Sequence, residues 1–280
     1  MAGDNSLQVA DWNGAVGEHW AAEQERTDAL IRAFGDAARE AASVRPGERV
    51  LDVGCGCGDT SLVLADTVGS TGAVVGVDVS SPMLAVARRR AAGRSQLTFT
   101  EADASRASLP GPFDLLFSRF GVMFFDDPPA AFTHMRKAMK PGGRLAFVCW
   151  QEARDNPWAA IPAQAARSVS GPSLTSPDPT APGPFAFGNP DRVRAILSAA
   201  GFAGISHTAF ESPMYLGSSP RSAAEGAVRI GPASRVAREA GAERAPAIID
   251  AIEAALKPHA GLNGAVSLPG RTWIVTAESP

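Results

Sequence analysis

The chain has 280 residues, 45% of them apolar, with 26 basic side chains against 29 acidic and a formal charge of −3. That length suits one large domain or a domain with an added lobe, and the apolar fraction can fill a substantial core. The charge balance disfavours nucleic acid as a partner, no apolar run nears the ~20 residues of a membrane span, and three cysteines make no disulfide framework, so a cytoplasmic, reducing location is the simplest expectation.

The N-terminal stretch "MAGDNSLQVADWNG" has no basic region followed by an apolar one and does not read as a signal peptide. Residues 27–44 set Leu30, Ile31, Phe34, Ala37, Ala38 and Ala41 at helical spacing, which predicts an amphipathic helix. A Pro-Gly turn leads to a short apolar strand over 50–53. After three glycines, 59–68 reads as a helix with Leu62, Val63 and Leu64 inward. Residues 73–79 are a second apolar strand. The helix from 80 to 92 has Ser80 or Ser81 as its cap and Pro82 in its first turn. The basic run "ARRRAAGR" at 87–94 reads as that helix's solvated end.

Strands follow at 97–103, 113–118 and 144–150, and a helix capped by aspartate occupies 126–139 before the "KPGG" stop. Strands alternating with helices predict crossover units on a parallel sheet covered on both faces. The second half is less regular. Residues 170–188 are rich in proline and glycine and read as a loop carrying Phe185 and Phe187. A helix over 189–201 is capped by Asn189 and stopped by Gly201. A strand over 205–212, two or three helices over 219–257 and a final strand over 272–277 complete the chain, with no internal repeat.

The chemistry concentrates in "VLDVGCGCGDTS", residues 50–61. Cys55 and Cys57 supply two ligands where structural zinc wants four, Cys149 sits inside an apolar strand, and the four histidines form no H-x3-5-H pair, so no metal is expected. A redox pair would be C-x-x-C, which is absent. The glycines fit a ligand better. Gly54, Gly56 and Gly58 lie between a buried strand and a helix N-terminus, where backbone N–H groups meet a ligand at close range. The cysteines are then small apolar fillers. The spacing is G-x-G-x-G, with Asp59 where the dinucleotide fingerprint has its third glycine, and a P-loop's G-K-S/T is absent. Asp78 ends the second strand, where a carboxylate takes ribose hydroxyls, a mark that suits NAD equally well. "EADA" ends the third strand with Asp103 beside an adenine site.

Together "VLDVGCGCGDTS", "VVGVDVS", "EADA", "FDLLFSRFGVMFFDDP" and "MKPGGRLAFVCW" resemble the motifs of class I S-adenosylmethionine-dependent methyltransferases, closest to the ubiquinone/menaquinone biosynthesis branch. The resemblance covers 45–150 well and 189–212 and 272–277 more loosely. It implies a Rossmann-like seven-stranded, mostly parallel α/β sheet with the last strand antiparallel. Residues 1–45 would be a helical lid, 46–150 the cofactor core, and 151–280 the rest of the sheet with a covering loop (170–188) and a helical insert (217–262).

For S-adenosylmethionine the resemblance implies that Asp52 with Gly54, Cys55, Gly56 and Gly58 holds the methionine part. Asp78 binds ribose, Val79 and Met83 lie near adenine, and Asp103 and Ala104 take the adenine edge. Ser118 lines the amino-acid end, and Trp20 in the lid contacts cofactor or substrate. His19 and Arg119 are the catalytic candidates, Arg119 as an orienter of an anionic or carbonyl group. The expected activity is methyl transfer to a small, largely apolar or aromatic acceptor. A nucleotide-dependent oxidoreductase and a non-catalytic cofactor-binding protein are the alternatives. "DPPA" at 127–130 lacks the aromatic of the D-P-P-Y motif and starts a helix, which argues against DNA as the acceptor.

Overall fold

The computed structural model describes residues 5–170 and 178–280. Helices α1 (Ser6–Asn13), α2 (Ala15–Ala22) and α3 (Gln24–Ala42) precede strand β1 (Arg49–Val53). Then come α4 (Asp59–Val68), β2 (Ala73–Asp78), α5 (Ser81–Arg90), β3 (Leu97–Glu101), β4 (Phe113–Arg119), α6 (Pro128–Arg136) and β5 (Met139–Trp150). Helices α7 (Pro157–Ser170) and α8 (Pro190–Ala199), strand β6 (Ala203–Gly217), helices α9 (Pro220–Ala227), α10 (Pro232–Ala240) and α11 (Ala245–Leu256) and strand β7 (Val266–Ser279) follow.

The strands form one sheet in the order β3-β2-β1-β4-β5-β7-β6. The first five are parallel and β7 is antiparallel, as expected. Strand order reverses beside β1, so a crevice opens at the carboxyl ends of β1 and β4, where ligands of open α/β sheets bind.

Contacts divide the chain into two compact units: Met1–Cys149 with Pro182–Phe210 and Trp273–Pro280, and Trp150–Ala181 with Glu211–Thr272. Residues 182–210 and 273–280 thus group with the first unit. In that unit Leu51, Phe117 and Phe147 are fully buried in the sheet, with Phe34, Leu64, Leu84 and Phe132 from its helices. In the second unit α7, α9, α10 and α11 share a core of Ala166, Ala224, Val236, Ile248, Ile252 and Leu256.

The differences from expectation have local causes. In α4 the buried face is Ser61, Leu64, Ala65 and Val68, while Leu62 and Val63 are half-buried, because Asp52 draws Ser61 inward. Strand β5 starts at Met139, before the "KPGG" turn, and its register against β4 shifts between Phe113 and Leu115, so the glycines are absorbed as a strand irregularity rather than a stop. Helix α7 has no counterpart in the sequence reading; its Pro162 is a breaker signal, yet that ring is buried. Residues 171–177 of the expected covering loop lie outside the described residues. Phe187 of that loop is fully buried between Phe132 and Phe147, so it is a core residue and not a mobile pocket wall. Asp127 and Asn189 cap α6 and α8 with side-chain bonds as expected, whereas Ser80 at the start of α5 sends its hydroxyl to the Trp12 carbonyl at 2.7 Å.

Candidate functional site

The glycine loop leaves β1 and enters α4. Gly54, Gly56 and Gly58 all have positive φ, 67°, 53° and 81°. A Cβ on Gly54 would lie 2.6 Å from the Gly121 Cα, and one on Gly56 would lie 2.8 Å from Met83 Cε. The loop therefore needs glycine for its own packing before any ligand is considered. Gly54 N–H donates to the Val77 carbonyl at 2.8 Å, which ties the loop to β2.

Asp52 lies beneath the loop with no exposed surface. Its Oδ2 accepts from Thr60 Oγ1 at 2.9 Å and Ser61 Oγ at 2.5 Å, while Oδ1 is buried without a partner. Burial pushes the carboxyl up to about 6, against the opposing pull of the two hydroxyls. Native α/β interiors rarely leave such an acceptor unmet. An orphaned acidic oxygen under a ring of backbone turns is the mark of a site that takes a cationic or N–H donor.

Asp78, at the end of β2, is half-buried. Its Oδ2 accepts from Gly56 N at 2.7 Å and its Oδ1 from Ser80 N at 2.8 Å. Burial raises its pKa, opposed by these backbone bonds. The Val79 N–H donates to this carboxylate as well, yet it still has acceptor capacity for a ribose hydroxyl. Val79 follows, and its carbonyl accepts from Asn13 Nδ2 at 2.7 Å. Asp103, just past β3, accepts from Ser105 N, Ser105 Oγ and Arg106 Nε, and although partial burial works against it these bonds hold its pKa low. Ala104 beside it is buried.

Ser118 is fully buried at the end of β4. Its hydroxyl donates to the Val53 carbonyl at 2.8 Å and accepts from Gly121 N at 3.1 Å, so the side chain locks the two strand ends. The next residues turn sharply, and Phe120 sits at φ 63°, an uncommon conformation for a bulky side chain.

The N-terminal helices lie against these strand ends. Asn13 bridges the β2–α5 turn, donating to Val79 and accepting from Ser81 N at 2.9 Å. Trp12 meets Trp20 edge-on at 5.8 Å between ring centres and Phe124 at 5.3 Å. His19 has a buried Nε2 with no partner. Arg119 holds Asp59 and Asp28, each at 3.0 Å, so its guanidinium is committed to an ion-pair cluster. His134 instead contacts the Ala107 carbonyl at 2.8 Å, and His207 faces the edge of Trp273.

Cys55, Cys57 and Cys149 are all buried and unpaired. Burial pushes Cys57 up to about 12 and the other two thiols well above their usual range. Among the described residues no group of three His, Cys, Asp or Glu side chains is arranged to hold a metal ion. Native protein treated with Ellman's reagent at pH 8 is therefore expected to release almost no thionitrobenzoate within minutes, and urea should liberate all three thiols. A fast-reacting thiol in the native state would contradict the filler assignment.

Asn13, Trp12, Asp28 and Arg90 belong to this region and carry no motif. Arg90 was part of a run read as solvated, and only packing distinguishes it from exposed Arg88 and Arg89. Among the described residues no helix is long and apolar enough to cross a membrane.

Residues 50–143 match the family described as a methyltransferase domain. The chain is 39% identical over 113 residues to the ubiquinone/menaquinone biosynthesis C-methyltransferase UbiE of Cellvibrio japonicus, covering 39% of this chain and 45% of that protein. It thus spans less than half the length of that curated relative. Its fold is similar to that of the YcgJ protein of Bacillus subtilis (TM-score 0.57, 20% identity, 85% of this chain and 94% of the other). It is also similar to phosphoethanolamine N-methyltransferase 2 of Haemonchus contortus, whose structure holds S-adenosyl-L-methionine (TM-score 0.53, 20% identity, 89% and 52%).

Proposed function

We propose that this chain, whose residues 50–143 match a methyltransferase domain and resemble the UbiE-like branch, transfers a methyl group from S-adenosylmethionine to a small, largely apolar or aromatic acceptor. The observation that carries the reading is the orphaned Asp52 Oδ1 beneath a glycine loop whose far side is braced by Asp78. These residues fit the cofactor's chemistry. Asp52 would hold the ammonium of the methionine part and Asp78 the ribose hydroxyls, with Val79 and Met83 near the adenine and Asp103 and Ala104 at its edge. The glycine backbone and the end of β4 at Ser118 would line the amino-acid end.

When bound, S-adenosylmethionine supplies a sulfonium methyl already activated for transfer. The protein's task is then alignment of acceptor and methyl. A base is required only where the acceptor must lose a proton, and His19, with its free Nε2, is the lid group suited to it. Trp12, Trp20 and Phe124 form an aromatic wall that excludes water and favours a cationic sulfonium. The same wall supports an apolar or aromatic acceptor over a sugar or a charged peptide.

Calorimetry with S-adenosylmethionine, S-adenosylhomocysteine and NADH tests the cofactor. Binding of the first two without the third is expected; NADH binding alone would sink the reading. Release of S-adenosylhomocysteine across a panel of phenols, hydroquinones and amines then tests the acceptor. Asp78→Ala is expected to remain folded and to lose about 2–4 kcal/mol of cofactor affinity, from two hydroxyl partners and a loosened Gly56. An unchanged dissociation constant would refute the ribose assignment.

A further inference from the structure

Four side chains, of which only Asp59 belongs to the glycine motif, close into a ring. Arg90 Nη1 contacts Asp28 Oδ2 and its Nη2 contacts Asp59 Oδ1, while Arg119 Nη1 contacts Asp59 Oδ2 and its Nη2 contacts Asp28 Oδ1, all four at 3.0 Å. Each guanidinium thus spans both carboxylates and each carboxylate spans both guanidiniums. The charges cancel, and Asp28, Asp59 and Arg119 have side chains at most 11% exposed. Exposed ion pairs contribute little, but a buried one that loses a member leaves uncompensated charge behind.

The ring's members come from α3, the first residue of α4, the last residue of α5 and the last residue of β4. It also touches the cofactor loop directly, since Arg90 Nη1 donates to the Cys57 carbonyl at 2.7 Å. Gln24 Nε2 donates to Asp28 at 2.5 Å, and Gly35 lacks a Cβ where one would lie 2.8 Å from Arg119 Cδ. Helix α3 is shaped around this ring.

We propose that Asp28, Asp59, Arg90 and Arg119 are a positioning frame for the nucleotide site: they hold the Cys57 carbonyl and the first turn of α4 at the height the cofactor requires. This rests on the methyltransferase reading. None of the four is a catalytic residue in it; they act through the loop. The frame needs guanidinium at position 90, because three contacts at separate angles exceed what one ammonium can reach. A purely electrostatic role would accept lysine there.

The test compares S-adenosylhomocysteine binding by calorimetry in wild type, Arg90→Lys and the near-isosteric Asp28→Asn, well below each thermal midpoint. Amide hydrogen exchange over 54–61 is followed in the ligand-free proteins. Both variants are expected to bind about tenfold or more weakly, with faster exchange in the loop and an unchanged circular dichroism spectrum. Dissociation constants within twofold of wild type, or full rescue by Arg90→Lys, overturn the frame while leaving the methyltransferase reading intact. Failure of both variants to fold assigns the ring to stability and overturns it too. Absence of binding in the wild type overturns the methyltransferase reading and, with it, the frame.

Discussion

Replacing Asp52 with asparagine is expected to make the protein relatively more stable at neutral pH and markedly poorer at holding its cofactor. The carboxyl is buried, and burial lifts it from 3.8 to about 6. The native state therefore binds more protons than the unfolded state between those values, so wild-type stability falls as pH rises through that window and is flat above it. Asparagine does not titrate. Between about pH 4.5 and 7.5 the stability difference should move by about 2 kcal/mol in favour of the variant. Urea denaturation at several pH values measures it; a difference that is flat with pH would show that Asp52 is ionised throughout.

Affinity moves the other way. The orphaned Oδ1 has no internal partner, so it is open to a ligand donor. Losing a charge-assisted bond of about 1.5–3 kcal/mol weakens S-adenosylmethionine about tenfold to a hundredfold. Wild-type binding should tighten as pH rises through about 6, and that inflection should vanish in Asp52→Asn. A stable variant with intact affinity would remove the ammonium role from Asp52.

Gly54→Ala is the second large effect. Its added methyl would meet backbone, the Gly121 Cα at 2.6 Å, and no flexible side chain is there to yield. Gly142 is the control: its φ of 74° is close to the 67° of Gly54, but nothing lies within 4 Å of a Cβ there. Gly142→Ala should cost about 1 kcal/mol, the price of left-handed backbone alone. Gly54→Ala adds overpacking and should cost about 3–5 kcal/mol, with loss of cofactor binding. Equal thermal midpoints for the two variants would mean that β1 and the residue-121 turn separate without penalty.

In the first unit β1, β2, β4, α6 and α8 were legible because each is bounded by strong local signals, whereas α1 and α2, with no capping side chain, were not. Asp127 and Asn189 cap their helices as their positions demand, and β1, β2 and β4 are short apolar runs that fit only a doubly covered sheet. Helix α7 was not legible, since Pro162 breaks the periodicity and only burial inside the second unit makes it tolerable. The start of β5 was hidden for the opposite reason: "KPGG" is a stop signal in isolation, and pairing with β4 overrides it.

The site divides in the same way. The glycine spacing, Asp78 and Asp103 are legible in the sequence because each stands at or just past the end of a strand, whereas Asp52 is singled out only by the family resemblance. What Ser118 and Arg119 do was a tertiary matter. Ser118 is spent on Val53 and Gly121, and Arg119 on two aspartates, one of them 91 residues earlier in the chain. Local sequence determines which backbone turns exist and which acids flank them. Only the folded packing decides which side chains remain free for a ligand, since a polar group's partners are set by what lies within about 3 Å of it and not by its neighbours along the chain.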